Sequence, residues 1–320
     1  MSRQSLNLSA ILFVISCIFM FLAFQSSHGV NLLPKVDFPS RGSNDLAARL
    51  EHSEALYRQS LEGRNRMRKV YKHENYREKK FPMDYVRPYS LYEFVYPAFN
   101  CPHDVERIGR IGDGGKWICG MTRYEANRDR PCVAYSFGVN DDSSFENALL
   151  SRTNCEIWGY DYTVDAWGNQ LHEAYRPRTH FLRVGISGET NETRTPPFYS
   201  VRDLMRSNGH EYIDIMKIDI EGSEFDALAG LLAEYSDADV ELPVGQLLVE
   251  IHMREPHEGD TFKLPRNVDE WVGFWEGLEA KGLRPFWVEP NMLGNVRYGR
   301  PLFAEVSLLN RADKRSLLVN

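Results

Sequence analysis

The sequence predicts an open, mostly parallel α/β sheet of seven strands, with helices on both faces and an antiparallel last strand. Three observations predict it. From about residue 90, short apolar runs alternate with helical patterns that open on capping residues, which is the texture of βαβ units. Five of those runs are strand-sized and rich in β-branched and aromatic residues: CVAYSFGV (132–139), CEIWGYD (155–161), HFLRVGIS (180–187), the apolar head of IDIMKIDIEGSEF (213–225) and GQLLVEIH (245–252). The last two, LRPFWVE (283–289) and AEVSLLN (304–310), are joined by Pro290 to Pro301 without a helical pattern, so the final strand should insert antiparallel.

The elements before the sheet follow in order. Leu6 to Phe24 is an uncharged apolar stretch of 19 residues, close to the ~20 that span a bilayer. We expect a signal-anchor within residues 1–30, with Arg3 on the cytosolic side and the rest of the chain lumenal in the Golgi or endoplasmic reticulum. The alternative is cleavage near Ser27-His28-Gly29 and secretion. Residues 31–90 are expected to form a helical, charged stem. Asn44 or Asp45 caps DLAARLEHSEALYRQSLEG, whose stripe is Leu46, Leu50, Tyr57 and Leu61. The basic run Arg64 to Lys80, interleaved with Glu74 and Glu78, should be solvated, and a formal charge of -7 gives no reason to expect nucleic acid.

Residues 91–320 are expected to form the single functional domain. Ser143 with Glu146 predicts a capping box opening SFENALLSR, and Ser200 caps a helix that ends at Gly209. The helix SEFDALAGLLAEY follows the fourth strand; Asn267 and Glu270 cap WVGFWEGLEAK, which Gly282 terminates. Beyond Cys17 four cysteines remain, which allow three pairings. Cys132 and Cys155 open adjacent parallel strands with their starts level, so we expect them to pair, leaving Cys101 with Cys119. Asn191-Glu192-Thr193 is a glycosylation sequon in a polar, Pro-flanked stretch that reads as a surface loop.

In such sheets ligands bind beyond the carboxyl ends of the strands. Gly138, at the end of the first strand, permits close backbone approach, although the chain carries no GxGxxG there. Asp161 follows by 23 positions at the end of the second strand, where an acid can accept both hydroxyls of a ribose. If the pleat of the fourth strand continues, Asp219 and Glu221 share a side, as do Glu250 and His252 on the fifth. A cluster of these four could take a proton from a hydroxyl or hold a divalent cation. The plain alternative is that Glu221 and Glu224 favour the positive start of the next helix, and that Lys217 pairs with one of the acids.

The segments RIGRIGDGGKWIC, AYSFGVNDDSSFE, WGYDYT, IMKIDIEGSEFDAL and LLVEIH together resemble the methyltransferase-like-24 type of domain, a lumenal branch related to FkbM-type O-methyltransferases. The resemblance spans residues 101–310, and KIDIEGSE is its most specific piece. It implies a Rossmann-like methyltransferase sheet and S-adenosylmethionine as cofactor. It also implies that Asp113 to Trp117, including Gly114 and Lys116, helps close the site. The cofactor-binding set is then Gly114, Lys116, Gly138, Asn140, Asp161 and Asp219, with Asn140 standing where the family commonly has glycine. The expected reaction is methylation of a hydroxyl on a small-molecule or glycan acceptor, with Asp219, Glu221 or His252 as base and no metal assigned. A Golgi-type glycosyltransferase and a non-catalytic lumenal domain of the same fold are the alternatives.

Overall fold

A computed structural model of the chain describes residues 45–73, 88–237, 240–253 and 262–320. The expected anchor and the residues that would follow its cleavage lie outside these. Among the described residues no helix is long and apolar enough to cross a membrane.

The main sheet has seven strands in the order β10-β11-β9-β8-β3-β4-β5. They are β3 (Cys132–Phe137), β4 (Cys155–Tyr160), β5 (Thr179–Leu182), β8 (Ile213–Ile218), β9 (Val244–His252), β10 (Leu283–Pro290) and β11 (Phe303–Asn310). β3, β4, β5, β8 and β9 run parallel, while β11 inserts antiparallel between β9 and β10, as the sequence predicts. Strand order reverses between β3 and β8, and that reversal opens the crevice in which such sheets bind ligands.

Each face of the sheet carries its own core. Met216 and Ile218 of β8 meet α4 (Val201–Asn208), α5 (Glu224–Glu234) and α6 (Val268–Ala280) through Leu204, Phe225, Leu228, Trp271 and Trp275. Ile215 and Leu248 belong to the opposite core, with Leu149 of α3 (Ser144–Arg152), Met121 of α2 (Met121–Ala126) and Ile118. Period-two alternation along β8 therefore sends consecutive residues to different cores.

A hairpin that sequence reading missed lies across this second face. β1 (Val105–Ile108) and β2 (Lys116–Cys119) pair antiparallel. Gln246 of β9 accepts the Cys119 N–H and donates to its carbonyl at 2.8 and 3.0 Å, while Ser307 of β11 donates to the Trp117 carbonyl at 2.8 Å. Four-residue strands with a long Gly-rich turn leave almost no periodic signal, which is why the hairpin was not legible.

Other differences have local causes. The third strand stops at Leu182, because Val184 turns back to the Leu182 carbonyl and β6 (Gly185–Ile186) pairs with β7 (Phe198–Tyr199) outside the main sheet. The loop read as non-helical holds α7 (Met292–Tyr298), where Asn291 accepts the Gly294 N–H and Gly299 ends the helix in the left-handed region. At Ser143 no capping box forms: Glu146 turns inward to the Ser136 hydroxyl at 2.5 Å and to Lys217 at 3.4 Å. The caps at Ser200 and Asn267 do form.

The residues expected to form a helical stem include one long helix. α1 (Leu46–His73) packs on the domain, burying Tyr57, and Arg64 makes a bidentate bond at 2.6 Å to Glu279 of α6. Arg68 likewise reaches Asp269, so the basic run is not wholly solvated.

Both disulfides form as expected, Cys101 with Cys119 and Cys132 with its register partner Cys155. Replacing Cys132 and Cys155 together by serine should cost about 2–4 kcal/mol of unfolding free energy, read by denaturant titration against the wild type. Recovery of either cysteine as a free thiol in non-reducing peptide maps of wild-type protein from a secretory host would contradict the pairing.

Candidate active site

A cavity of about 850 Å³ opens beyond the carboxyl ends of β3, β4, β8 and β9. Its walls include Gly138, Asn140, Asp161, Asp219, Glu221, Glu250 and His252, and the β1–β2 turn adds Arg110, Asp113 and Gly114. Of the expected site residues only Lys116 is not on the wall.

The first loop is built on two unusual backbones. Gly138 has φ 77°, and a Cβ there would lie 1.7 Å from the Asp219 carbonyl oxygen, so only glycine lets the β3 and β8 ends meet. Asn140 has φ 49°, also left-handed. Asparagine tolerates that region best among residues with a Cβ, so it keeps the loop shape a glycine would give.

Asp161 holds that loop in place. Its Oδ2 accepts the Val139 and Asn140 N–H groups at 2.9 and 2.8 Å, and its Oδ1 accepts the Thr163 N–H and hydroxyl at 2.7 and 2.6 Å. A carboxylate offers about four acceptor directions, and all are taken.

The opposite wall is a buried row of acids. Glu250 and Glu305, both buried, are register partners on β9 and β11, and Asp219, half-buried, follows directly on the neighbouring strand, β8. Their counter-ion is Lys116, fully buried: its Nζ lies 3.0 Å from Asp219 and 3.7 Å from Glu250, and donates to Glu305. Lys116 therefore faces carboxylates rather than the cavity, which corrects its expected contact with cofactor. Burial opposes its charge, but Asp219, Glu305 and Glu250 raise its pKa well above the ordinary value. Burial raises the Asp219 carboxyl, yet Lys116 and His252 more than offset that and hold it low. Glu250 is pushed well up by burial and by the Asp219 and Glu305 charges, and burial raises Glu305 as well.

The pleat of β8 does not continue as expected. Glu221 adopts φ 59° and the chain turns, with the Ile220 and Gly222 N–H groups bonded to Glu224 Oε1. Glu224 thus does more than favour a helix start. The same Oε1 lies 2.8 Å from His252 Nδ1, leaving Nε2 3.9 Å from Asp219 and 3.7 Å from the largely exposed Glu221. Burial would lower the His252 pKa, but Glu224, Glu250 and Asp219 raise it to about 10. Lys217 pairs with Glu146 and the Gly138 carbonyl instead of Glu221 or Glu224.

Asp219, Glu250 and His252 offer atoms within 4.8 Å of one another, a spacing that could hold a metal ion. Lys116 already supplies positive charge to two of the three.

A family profile described as a methyltransferase domain matches residues 48–299, most of the chain. The chain belongs to that methyltransferase family. It is 27% identical over 169 residues to "Probable methyltransferase-like protein 24" of Rattus norvegicus, and 26% identical over 170 residues to the Homo sapiens protein of that name. Each alignment takes in 50% of this chain and 43% of the relative, so the chain spans less than half the length of the curated relatives it matches. Among solved structures, the Methanococcus jannaschii fibrillarin pre-rRNA processing protein is similar at 12% identity, covering 66% of this chain and 84% of that one, with a TM-score of 0.33. A TehB-like SAM-dependent methyltransferase from Corynebacterium glutamicum is similar at 13% identity, covering 59% and 86%, with a TM-score of 0.30.

The methyltransferase cofactor is S-adenosylmethionine, a sulfonium cation that supplies an electrophilic methyl group when bound. The donor set fits it. Acids outnumber cations at the wall, and Val139, Tyr160, Tyr162, Ile186 and Phe198 give the β3–β5 side an apolar and aromatic lining for a nucleobase.

Lys116→Met should cost about 3–5 kcal/mol of stability at neutral pH, because the buried Glu250 and Glu305 and the half-buried Asp219 lose their shared cation. Denaturant unfolding reads this; a variant as stable as wild type would show that the row needs no counter-ion.

Proposed function

We propose that the chain is an S-adenosylmethionine-dependent O-methyltransferase of the secretory pathway, with His252 as the base that takes the acceptor's hydroxyl proton. The observation that carries this is the Glu224–His252 bond at 2.8 Å, which fixes the ring and directs Nε2 to the cavity. Asp219 is held low by Lys116 and His252, and Glu250 is tied to the Asn291 amide and lies 3.7 Å from Lys116. His252 remains. Glu221, 68% exposed at its side chain, lies within reach to relay that proton to solvent.

Asp161 and the Val139–Asn140 loop hold the ribose side of the cofactor, Gly138 brings the loop against β8, and the turn at Asp113–Gly114 closes the rim. The two disulfides support an oxidising compartment, and exposed Asn191, whose side chain accepts from Thr193, supports glycosylation there. The family match and strand order favour methyl transfer over glycosyl transfer.

Two measurements test the reading. With His252 raised to about 10 in the free site, most of the enzyme holds a protonated ring at neutral pH. The rate should therefore climb with pH and level off only as the ring deprotonates, and His252→Gln should remove the climb without weakening cofactor binding. A flat profile in the wild type would exclude His252 as base. In calorimetric titration, Asp161→Ala should weaken S-adenosylmethionine binding by about 1.5–3 kcal/mol. Thr163→Val, which frees one acceptor direction on Asp161, should not weaken it; equal losses from both variants would mean that Asp161 acts on the loop alone.

A further inference from the structure

The cavity wall opposite the ribose side ends in α7, and this helix is turned inside out. Its polar residue Asn295 is buried and bonds in both directions with the backbone of Phe303, at 2.9 and 3.0 Å. Gly294 sits against the same residue, where a Cβ would lie 2.7 Å from the Phe303 ring. Those contacts pin the polar side inward and leave Met292, Leu293 and Val296 exposed at 68, 70 and 74%. Apolar side chains gathered on a short helix at a cavity mouth mark a surface that something covers.

The exposed face is continuous with the site. Leu293 and Tyr298 are exposed and also line the cavity. The His252 ring stands edge-on to Phe303 at 5.3 Å, and Phe303 packs on Tyr298 at 5.3 Å, so ring contacts lead from the base to the rim. The amides of this wall are already engaged: Asn291 donates to Glu250 at 2.8 Å and accepts from Gly294, and Asn295 serves Phe303. A wholly polar acceptor would find few partners here besides Arg297.

We propose that this face seats the apolar body of the methyl acceptor, so that the acceptor is an amphiphilic alcohol: its hydroxyl lies at His252 and its hydrocarbon or aromatic body lies over Leu293 and Val296. This rests on the O-methyl transfer reading and adds the acceptor's class. Hydrocarbon removed from water against Leu293 and Val296 supplies affinity, and the ring path orients the hydroxyl end inward.

The test compares octyl β-D-glucoside, kept below its micelle concentration, with methyl β-D-glucoside, which has the same hydroxyls and no chain. Each is titrated calorimetrically into wild type and into the Leu293→Ser/Val296→Ser double variant, with S-adenosylmethionine titrated separately. Wild type should bind the octyl compound about 10-fold more tightly than the methyl compound, and the double variant should lose that advantage. Cofactor affinity and thermal stability should be unchanged, since both side chains are exposed. Equal binding of the two glucosides to wild type would overturn the proposal, as would octyl binding that survives in the variant. If the substitutions dissociate a dimer yet leave octyl binding intact, the face belongs to a second copy and the proposal fails. Loss of cofactor binding in wild type would instead strike the methyltransferase reading, and the glucoside comparison would still stand by itself.

Discussion

The buried ammonium of Lys116 is the constraint on which the rest of the site depends. Asp219, Glu250 and Glu305 come from three adjacent strands, and burying three acids side by side is untenable without a cation inside the row. That cation is delivered by β2, so the charge that permits the acids also fastens the hairpin to the sheet. Gln246 and Ser307 add backbone bonds to β2, and the Cys101–Cys119 disulfide ties its far end. The turn of the same hairpin carries Arg110, Asp113 and Gly114 to the cavity rim. One electrostatic requirement thus places both the acidic wall and the element that closes over it.

The loop after β3 and the acidic wall are joined at Asp219. Its carbonyl oxygen fills the space a Cβ on Gly138 would need, and its carboxylate faces Lys116 and His252. Glu224 works similarly on the next turn, since one oxygen accepts two backbone N–H groups and the His252 ring. Residues that shape the backbone therefore also set the charge, and the tight turns at Gly138 and Glu221 hold those charges at fixed distances.

How much of this could be read from the chain depended on the range of each interaction. The antiparallel last strand was read from a 290–301 connection without a helical pattern; the connection does hold the seven-residue α7, yet β11 still inserts antiparallel. Pairing of Cys132 with Cys155 followed from parallel register alone. Lys116 was placed in the site by resemblance but given the wrong contact, because its partners lie 103 to 189 positions away and nothing in KWIC announces them. Glu146 looked like a capping residue on local spacing, yet Lys217 and Ser136 outcompete the Ser143 backbone for its carboxylate. Glu224 read correctly as an acid at a helix start, but its bond to His252 needs the β9 register to be known. Asn140, read as a departure from the family pattern, became intelligible only when its φ was seen.

The high basicity of His252 has a meaning once the donor's charge is considered. In the free site the acids Asp219, Glu224, Glu250 and Glu305 exceed the fixed cation Lys116, and His252 holds a proton to offset part of that excess. A bound sulfonium brings its own positive charge to the same field and lowers the cost of a neutral ring, which is the form that can act as base. In the proposed reaction the bound donor would give its methyl group to the acceptor's oxygen, leaving a neutral thioether, while the hydroxyl proton passed to His252. The net positive charge at the acidic wall would then be the same before and after transfer. A field that held His252 at an ordinary pKa would leave the acidic wall uncompensated once the sulfur is neutral, so the same acids that make the resting ring hard to deprotonate also stabilise it as the product cation.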